Sequence, residues 1–198
     1  MRRRIGAVAG VFALLLAACG STAGAGTSGT SRVASATPAP DFALTDQFGH
    51  PERLSDFRGR TVLLTFVDST CTTICPLTAQ LMWRARQDVG TAIPVQLLAV
   101  NANPRSTSVS AVRRWSARHR MLRRWLFLTG SVQQLRSVWR GYGIEAKVVH
   151  GDVDHTAVIY VIDPAGRVRA AFPIAERRGI EAEARTIADA IRAVGAPG

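Results

Sequence analysis

Cys71 and Cys75, in the run Thr70-Cys71-Thr72-Thr73-Ile74-Cys75-Pro76, are the residues of this chain best suited to chemistry. An apolar, β-rich run over 61–67 leads into them and a helix-like run over 77–89 follows, so they occupy a strand-to-helix turn. Proline favours the first helical position and restricts the residue before it. Cys75 is therefore expected at the N-cap and Pro76 at the first helical position, with Cys71 out in the loop. A thiol near a helix N-terminus is held toward thiolate by the helix dipole, and thiolate is the form that attacks disulfides and binds soft metals. A plain structural disulfide is the alternative, and position argues against it, because α/β folds bind ligands at the C-terminal edge of parallel strands. The CxxxC spacing alone is only moderately specific.

Alternating strands and helices must position this turn. The run over 61–67 is apolar almost throughout, as in a strand covered on both faces. Leu77, Leu81, Ala85 and Val89 fall at helical spacing, and 95–100 reads as a second buried strand. Val109, Val112 and Trp115 begin another helix, and 125–128 is a short strand. Residues 131–142 form a helix with Ser131 and Gln134 as a capping box, ended by Gly141 and Gly143. A third strand over 156–163 turns through Asp163-Pro164-Ala165-Gly166 into 167–172 as a hairpin, and Ile180, Ala184, Ile187, Ala188, Ile191 and Val194 mark a closing helix. This order predicts an α/β, thioredoxin-like fold: a central mixed sheet flanked by helices. Trp83, Trp115, Trp125 and Trp139 are read as core.

The chain has 198 residues and a formal charge of +11, almost all of it from arginine, densest over 113–124. No nucleic-acid motif accompanies this charge, so nucleic acid is not expected as a partner. The basic surface is read as solvated, with docking to an acidic partner or a membrane as the functional alternative. Residues 1–18 form a signal peptide: Arg2, Arg3 and Arg4, then an apolar run too short to argue for a permanent transmembrane helix. Its end, Leu16-Ala17-Ala18-Cys19, resembles the lipobox of bacterial lipoproteins, which implies a lipidated Cys19 and a domain held at the cell membrane on its extracytoplasmic side. Residues 19–40, rich in Gly, Ser, Thr, Ala and Pro, are expected to be a flexible tether, and 41–198 the folded domain. With Cys19 lipidated, Cys71 and Cys75 remain as an isolated pair in a disulfide-permissive compartment.

The runs Asp41-Phe42-Ala43-Leu44-Thr45-Asp46-Gln47-Phe48-Gly49, Leu54-Ser55-Asp56-Phe57-Arg58-Gly59, Cys71-Thr72-Thr73-Ile74-Cys75-Pro76, Phe127-Leu128-Thr129-Gly130 and Val153-Asp154-His155-Thr156-Ala157 together resemble the SCO/SenC family of copper-delivery proteins. The resemblance implies copper ligands at Cys71, Cys75 and His155 and delivery to a thiolate copper site, that of the CuA centre of cytochrome c oxidase or of another protein. Two thiolates and an imidazole suit soft Cu(I), with Cu(II) as a further state. Asn103 and Thr107 stand where the family often has acids, and Asp68 where it often has an aromatic. These departures leave the ligands untouched and bear on partner docking and redox tuning.

A carrier is favoured over an enzyme. The runner-up is a thiol-disulfide reductase with Cys71 attacking and Cys75 resolving; His155 discriminates, being needed for copper and dispensable for exchange. The residues before Cys71 lack the Pro-x-x-x-Thr-x-x-Cys run of peroxiredoxins, and a structural zinc site would want a fourth ligand. His50 is read as a turn residue, His119 as a helix-face residue, and His150 and Asp154 as surface residues near the site.

Overall fold

The computed structural model of the chain describes residues 31–150, 152–174 and 179–195. In chain order the strands and helices are β1 (Ser31–Pro38), β2 (Ala43–Thr45), β3 (Pro51–Arg53), β4 (Thr61–Val67), α1 (Ile74–Val89), β5 (Val95–Asn101), α2 (Val109–Arg118), β6 (Leu126–Leu128), α3 (Val132–Gly141), β7 (Ala146–Val149), β8 (Asp152–His155), β9 (Val158–Ile162), β10 (Arg167–Pro173) and α4 (Ile180–Gly195). One mixed sheet runs β1-β10-β9-β4-β5-β6; β4, β5 and β6 are parallel to one another, and β4, β9, β10 and β1 are antiparallel neighbours. This is the thioredoxin-like arrangement that the alternation of elements predicts.

Strand β4 is buried along its whole length because both sheet faces are covered. Leu63 and Val67 face a core completed by α1, α2 and α4, where Met82, Trp115 and Ile187 meet them. Val62, Leu64 and Phe66 face the opposite core, closed by α3 through Leu135 and Trp139 and by Phe42, Leu54 and Phe57. The period of two along one strand thus fixes two hydrophobic layers. Trp115, Trp125 and Trp139 are core residues, as read, whereas Trp83 is half-buried beneath the guanidinium of Arg124.

The capping box of α3 forms as the sequence predicts, with Gln134 N–H donating to Ser131 Oγ at 3.2 Å and Ser131 N–H to Gln134 Oε1 at 2.9 Å. The hairpin of β9 and β10 also forms, and Gly166 supplies the positive φ of 72° that its turn requires.

The tether expected over 19–40 is shorter than composition suggests. Its C-terminal part is β1, which pairs antiparallel with β10, and Ala39 is buried with its N–H donating to Gly166 O at 2.9 Å. The folded domain therefore starts before residue 41. A ladder is built from backbone groups, so small polar side chains conceal a strand that needs only a free sheet edge. The signal peptide over 1–18, Cys19 and the tether up to residue 30 lie outside the described residues. Among the described residues no helix is long and apolar enough to cross a membrane.

At the opposite edge of the sheet a side chain does the work of a strand. Gln47 is fully buried; its Nε2 donates to Leu122 O at 3.1 Å and Trp125 O at 2.9 Å, while its Oε1 accepts from Phe127 N–H at 2.7 Å. Removing the amide leaves those buried backbone groups unpaired. Gln47→Ala is predicted to destabilise the domain by about 3 kcal/mol, read from urea unfolding; a loss below about 0.5 kcal/mol would mean that the edge pairs by other means.

Candidate metal and redox site

The cysteine turn begins where β4 ends. Asp68 and Ser69 follow the fully buried Val67 and remain buried themselves, so their polar groups need partners inside the protein. Asp68 Oδ1 accepts from Thr70 N–H at 2.8 Å, from the Thr70 hydroxyl at 2.9 Å and from Asn103 Nδ2 at 2.7 Å. Asn103 lies in the loop after β5, its own N–H donating to Asn101 Oδ1 at 3.0 Å. Ser69 Oγ donates to Ser106 O at 2.9 Å, and the indole of Trp115 donates to Cys71 O at 2.8 Å. The turn is thus held from within, from the β5 loop and from α2.

This network accounts for two of the departures from the family pattern together. Asp68 supplies a carboxylate and Asn103 a carboxamide donor. An acid at 103 would set two carboxylates at hydrogen-bond distance, where both cannot ionise freely. Thr107 acts through its backbone, its carbonyl accepting from Thr129 Oγ1 at 2.7 Å.

Helix α1 starts earlier than its proline suggests. Thr73 is the N-cap, so Cys75 is the second helical residue and Pro76 the third. The first N–H groups of a helix have no intrahelical acceptor, so proline is tolerated there as well as at the first position. The shift moves Cys75 off the helix mouth and into the buried stripe with Thr78, Ala79, Met82 and Ala85, at 1% exposure. Leu77, expected on that stripe, is 40% exposed. Cys71 stays on the loop, half-buried, its sulfur 3.7 Å from Thr73 Oγ1.

The two thiols divide one proton unequally. A hydrogen bond from the Cys75 thiol holds Cys71 down to about 5 against the upward pull of partial burial, and the Cys75 and Thr73 N–H groups and the Thr73 hydroxyl add to it. Cys75 is pushed upward by giving that hydrogen bond, by burial and by the negative charge of Cys71. At neutral pH the outward sulfur is therefore thiolate and the inward one thiol. The helix dipole alone would have favoured thiolate at the cysteine inside the first turn; burial and the shared proton override it.

His155 comes from a hairpin of β7 and β8, which the sequence reading missed. Val148, Val149 and Val153 carried its signal in their β-branched character. From the end of β8, His155 places Nε2 3.6 Å from Cys75 Sγ, while its Nδ1 lies 3.2 Å from Thr156 O. Donation from Nδ1–H to that carbonyl leaves the Nε2 lone pair facing the sulfur. His150 sits at the hairpin tip with φ of 50° and is exposed, as is Asp154. His50 is a turn residue beside Asp46, and His119 caps α2 against Trp115. None of these four enters the site. The structure brings Cys75 and His155 into contact, with Cys71 on the loop ahead of the same helix. Among the described residues no three Cys, His, Asp or Glu side chains are placed to hold a metal ion together.

The proton arrangement has a readable consequence. Alkylation of reduced protein by iodoacetamide should modify Cys71 first, at a rate nearly constant from about pH 6 to 8, because the thiolate is already formed above its depressed pKa. Peptide mapping would contradict this if the Cys71 rate rose about tenfold per pH unit, as for an ordinary thiol titrating near 8.5. The sign for stability follows the same way. From about pH 5 up to the unfolded thiol range, the folded state binds fewer protons at Cys71, so this group favours folding as pH rises and that contribution is lost as pH falls toward 5. Above that range the raised Cys75 opposes it.

Comparison with known proteins agrees with this architecture. The SCO1/SenC family model matches residues 31–192. The protein SCO2 homolog, mitochondrial, of Bos taurus is 33% identical over 136 residues, which cover 64% of this chain and 50% of that protein; the chain thus spans about half the length of this relative. The thiol-disulfide oxidoreductase ResA of Geobacillus kaustophilus is 54% identical over 39 residues, covering 20% of this chain and 22% of that one. Among solved structures, apo Sco1 of Thermus thermophilus superposes with a TM-score of 0.64 at 28% identity, covering 82% of this chain and 94% of its own. The start of the family match at residue 31 coincides with the start of β1, and with the cysteine turn and the His155 hairpin in place, the chain belongs to the SCO1/SenC family.

Proposed function

We propose that this protein is a membrane-tethered copper carrier that binds copper through Cys71, Cys75 and His155 and passes it to the CuA-type site of a respiratory cytochrome c oxidase. The observation that carries the reading is the contact of the Cys75 sulfur with a histidine nitrogen whose other nitrogen is occupied by Thr156 O. A thiolate, a buried thiol and a neutral imidazole form a soft donor set, suited to Cu(I) and poorly suited to Mg or Ca. Cys75 and His155 already touch. Cys71, on the loop, is the donor that swings in to complete a trigonal site, and the Cys75 proton leaves as copper binds.

The same placement on the loop suits release. An incoming thiolate of the recipient meets Cys71 at the surface and replaces it, so copper passes through shared sulfur ligands without being freed. Leu77 at the start of α1 and Val148 and Val149 on the His155 hairpin are exposed apolar side chains near the donors, a rim suited to docking a recipient. The lipid anchor at Cys19 belongs to this reading as the device that keeps the carrier at the membrane.

A second reading, thiol-disulfide reductase, is favoured by one observation, the accessible Cys71 thiolate beside a protonated Cys75. Cys71 would attack a recipient disulfide, forming a mixed disulfide and releasing one recipient thiolate. Cys75 would then attack Cys71 Sγ, its proton passing to the departing thiolate, and the Cys71–Cys75 disulfide would form as the recipient is reduced.

Anaerobic Cu(I) titration of the reduced protein against Cys71→Ser, Cys75→Ser and His155→Ala separates the two. The carrier reading predicts one tight Cu(I) per chain, weakened at least about tenfold by each change. Binding indifferent to His155, with disulfide exchange requiring both cysteines, would replace it with the reductase.

A further inference from the structure

Copper binding leaves the charge distribution of the chain unexplained. Residues 89–144 contain nine of its 25 basic side chains, all arginine, and none of its 14 acidic ones. Apart from these and Arg2, Arg3 and Arg4, the remaining thirteen basic residues are matched by the 14 acids. The positive charge of the folded domain is thus confined to one segment, which folds as β5, α2, β6 and α3 and reaches the sheet edge opposite β1.

Six of those arginines, Arg113, Arg114, Arg118, Arg120, Arg123 and Arg124, lie on α2 and the turn after it, and all six are exposed. Among the described residues no carboxylate pairs with any of them. Two instead lie over aromatic rings, Arg113 at 5.8 Å from the Phe48 centroid and Arg124 at 4.5 Å from that of Trp83. Phe48, 40% exposed, also lines a shallow groove with Leu122, Arg123 and Arg124, so it links the helix and the turn into one ridge.

Crowding six guanidinium groups without counter-charges is a self-repulsion that an external anionic surface offsets. An acidic protein would need carboxylates placed to match, and among the described residues no side-chain hydrogen bond fixes these six guanidinium groups in register. A fluid sheet of phosphates needs only charge density, and an exposed aromatic among arginines is the composition of interfacial segments. We propose that this ridge lies against an anionic phospholipid surface, with Phe48 at its centre. The ridge would set how the domain lies on the membrane, whatever anchors it there. The proposal does not depend on the copper reading.

The test is flotation of the full chain with vesicles of phosphatidylcholine alone and of phosphatidylcholine with about a third phosphatidylglycerol. Any contribution of the apolar N-terminal residues is common to wild type and variants. Each arginine near such a surface strengthens partitioning about fivefold. The gain on adding phosphatidylglycerol should therefore fall at least about tenfold in Arg114→Gln/Arg118→Gln/Arg123→Gln. It should persist in Arg60→Gln/Arg84→Gln/Arg185→Gln, which removes the same charge elsewhere on the exposed surface. The wild-type gain should also fade in high salt. Thermal melting and Cu(I) stoichiometry serve as controls that all three proteins remain folded. A gain that survives in the ridge variant overturns the proposal and leaves an acidic protein as the occupant. An equal loss in both variants also overturns it, since net charge rather than the ridge would then be responsible.

Discussion

The contact between Cys75 Sγ and His155 Nε2, at 3.6 Å, joins residues 80 positions apart in the chain, and the sheet is what makes it possible. Strands β4 and β9 are antiparallel neighbours, with Thr65 opposite Ile159, so the turn that leaves β4 and the segment that enters β9 arrive at the same end of the sheet. Burial of both strands fixes their register, because a slip of one residue would exchange the two hydrophobic layers. The site is therefore a product of strand pairing. The loops that carry its donors contribute local geometry, while the core determines that they meet.

Within that frame, the inward sulfur is buried and the outward one is half-exposed. Cys75 is fixed by the first turn of α1 and by burial, and its retained proton stabilises the thiolate of Cys71. The Asp68, Thr70 and Asn103 network fixes the backbone beneath Cys71 without taking up its sulfur. A rigid base under a reactive, half-exposed thiolate suits transfer better than storage, since a closed cage of ligands would release its cargo slowly. Ligand exchange and disulfide exchange both begin at this sulfur, which is why one cysteine pair supports both readings and the histidine separates them.

Much of this was legible in the sequence. The apolar run over 61–67, the capping box at Ser131 and Gln134 and the turn at Gly166 each carry a local physical signal, and each forms as read. Elements defined by pairing were hidden. Residues 31–38 lack large apolar side chains and become a strand because β10 offers an edge, and the β7–β8 hairpin stands outside the main sheet with exposed valines. Pro76 misplaced the helix start because proline, though favoured at the first helical position, is tolerated throughout the first turn. Asp68 and Asn103 were visible singly as departures from a pattern. Their hydrogen bond spans 35 positions, and no local signal reveals it.

The central claim is that both sulfurs and His155 bind one copper ion. X-ray absorption at the copper edge of the Cu(I)-loaded protein tests it most directly. Two sulfur scatterers and one imidazole nitrogen per copper are predicted, with the imidazole signal lost in His155→Ala. A copper ion with only sulfur neighbours in the wild type, or a spectrum unchanged by His155→Ala, would contradict the account.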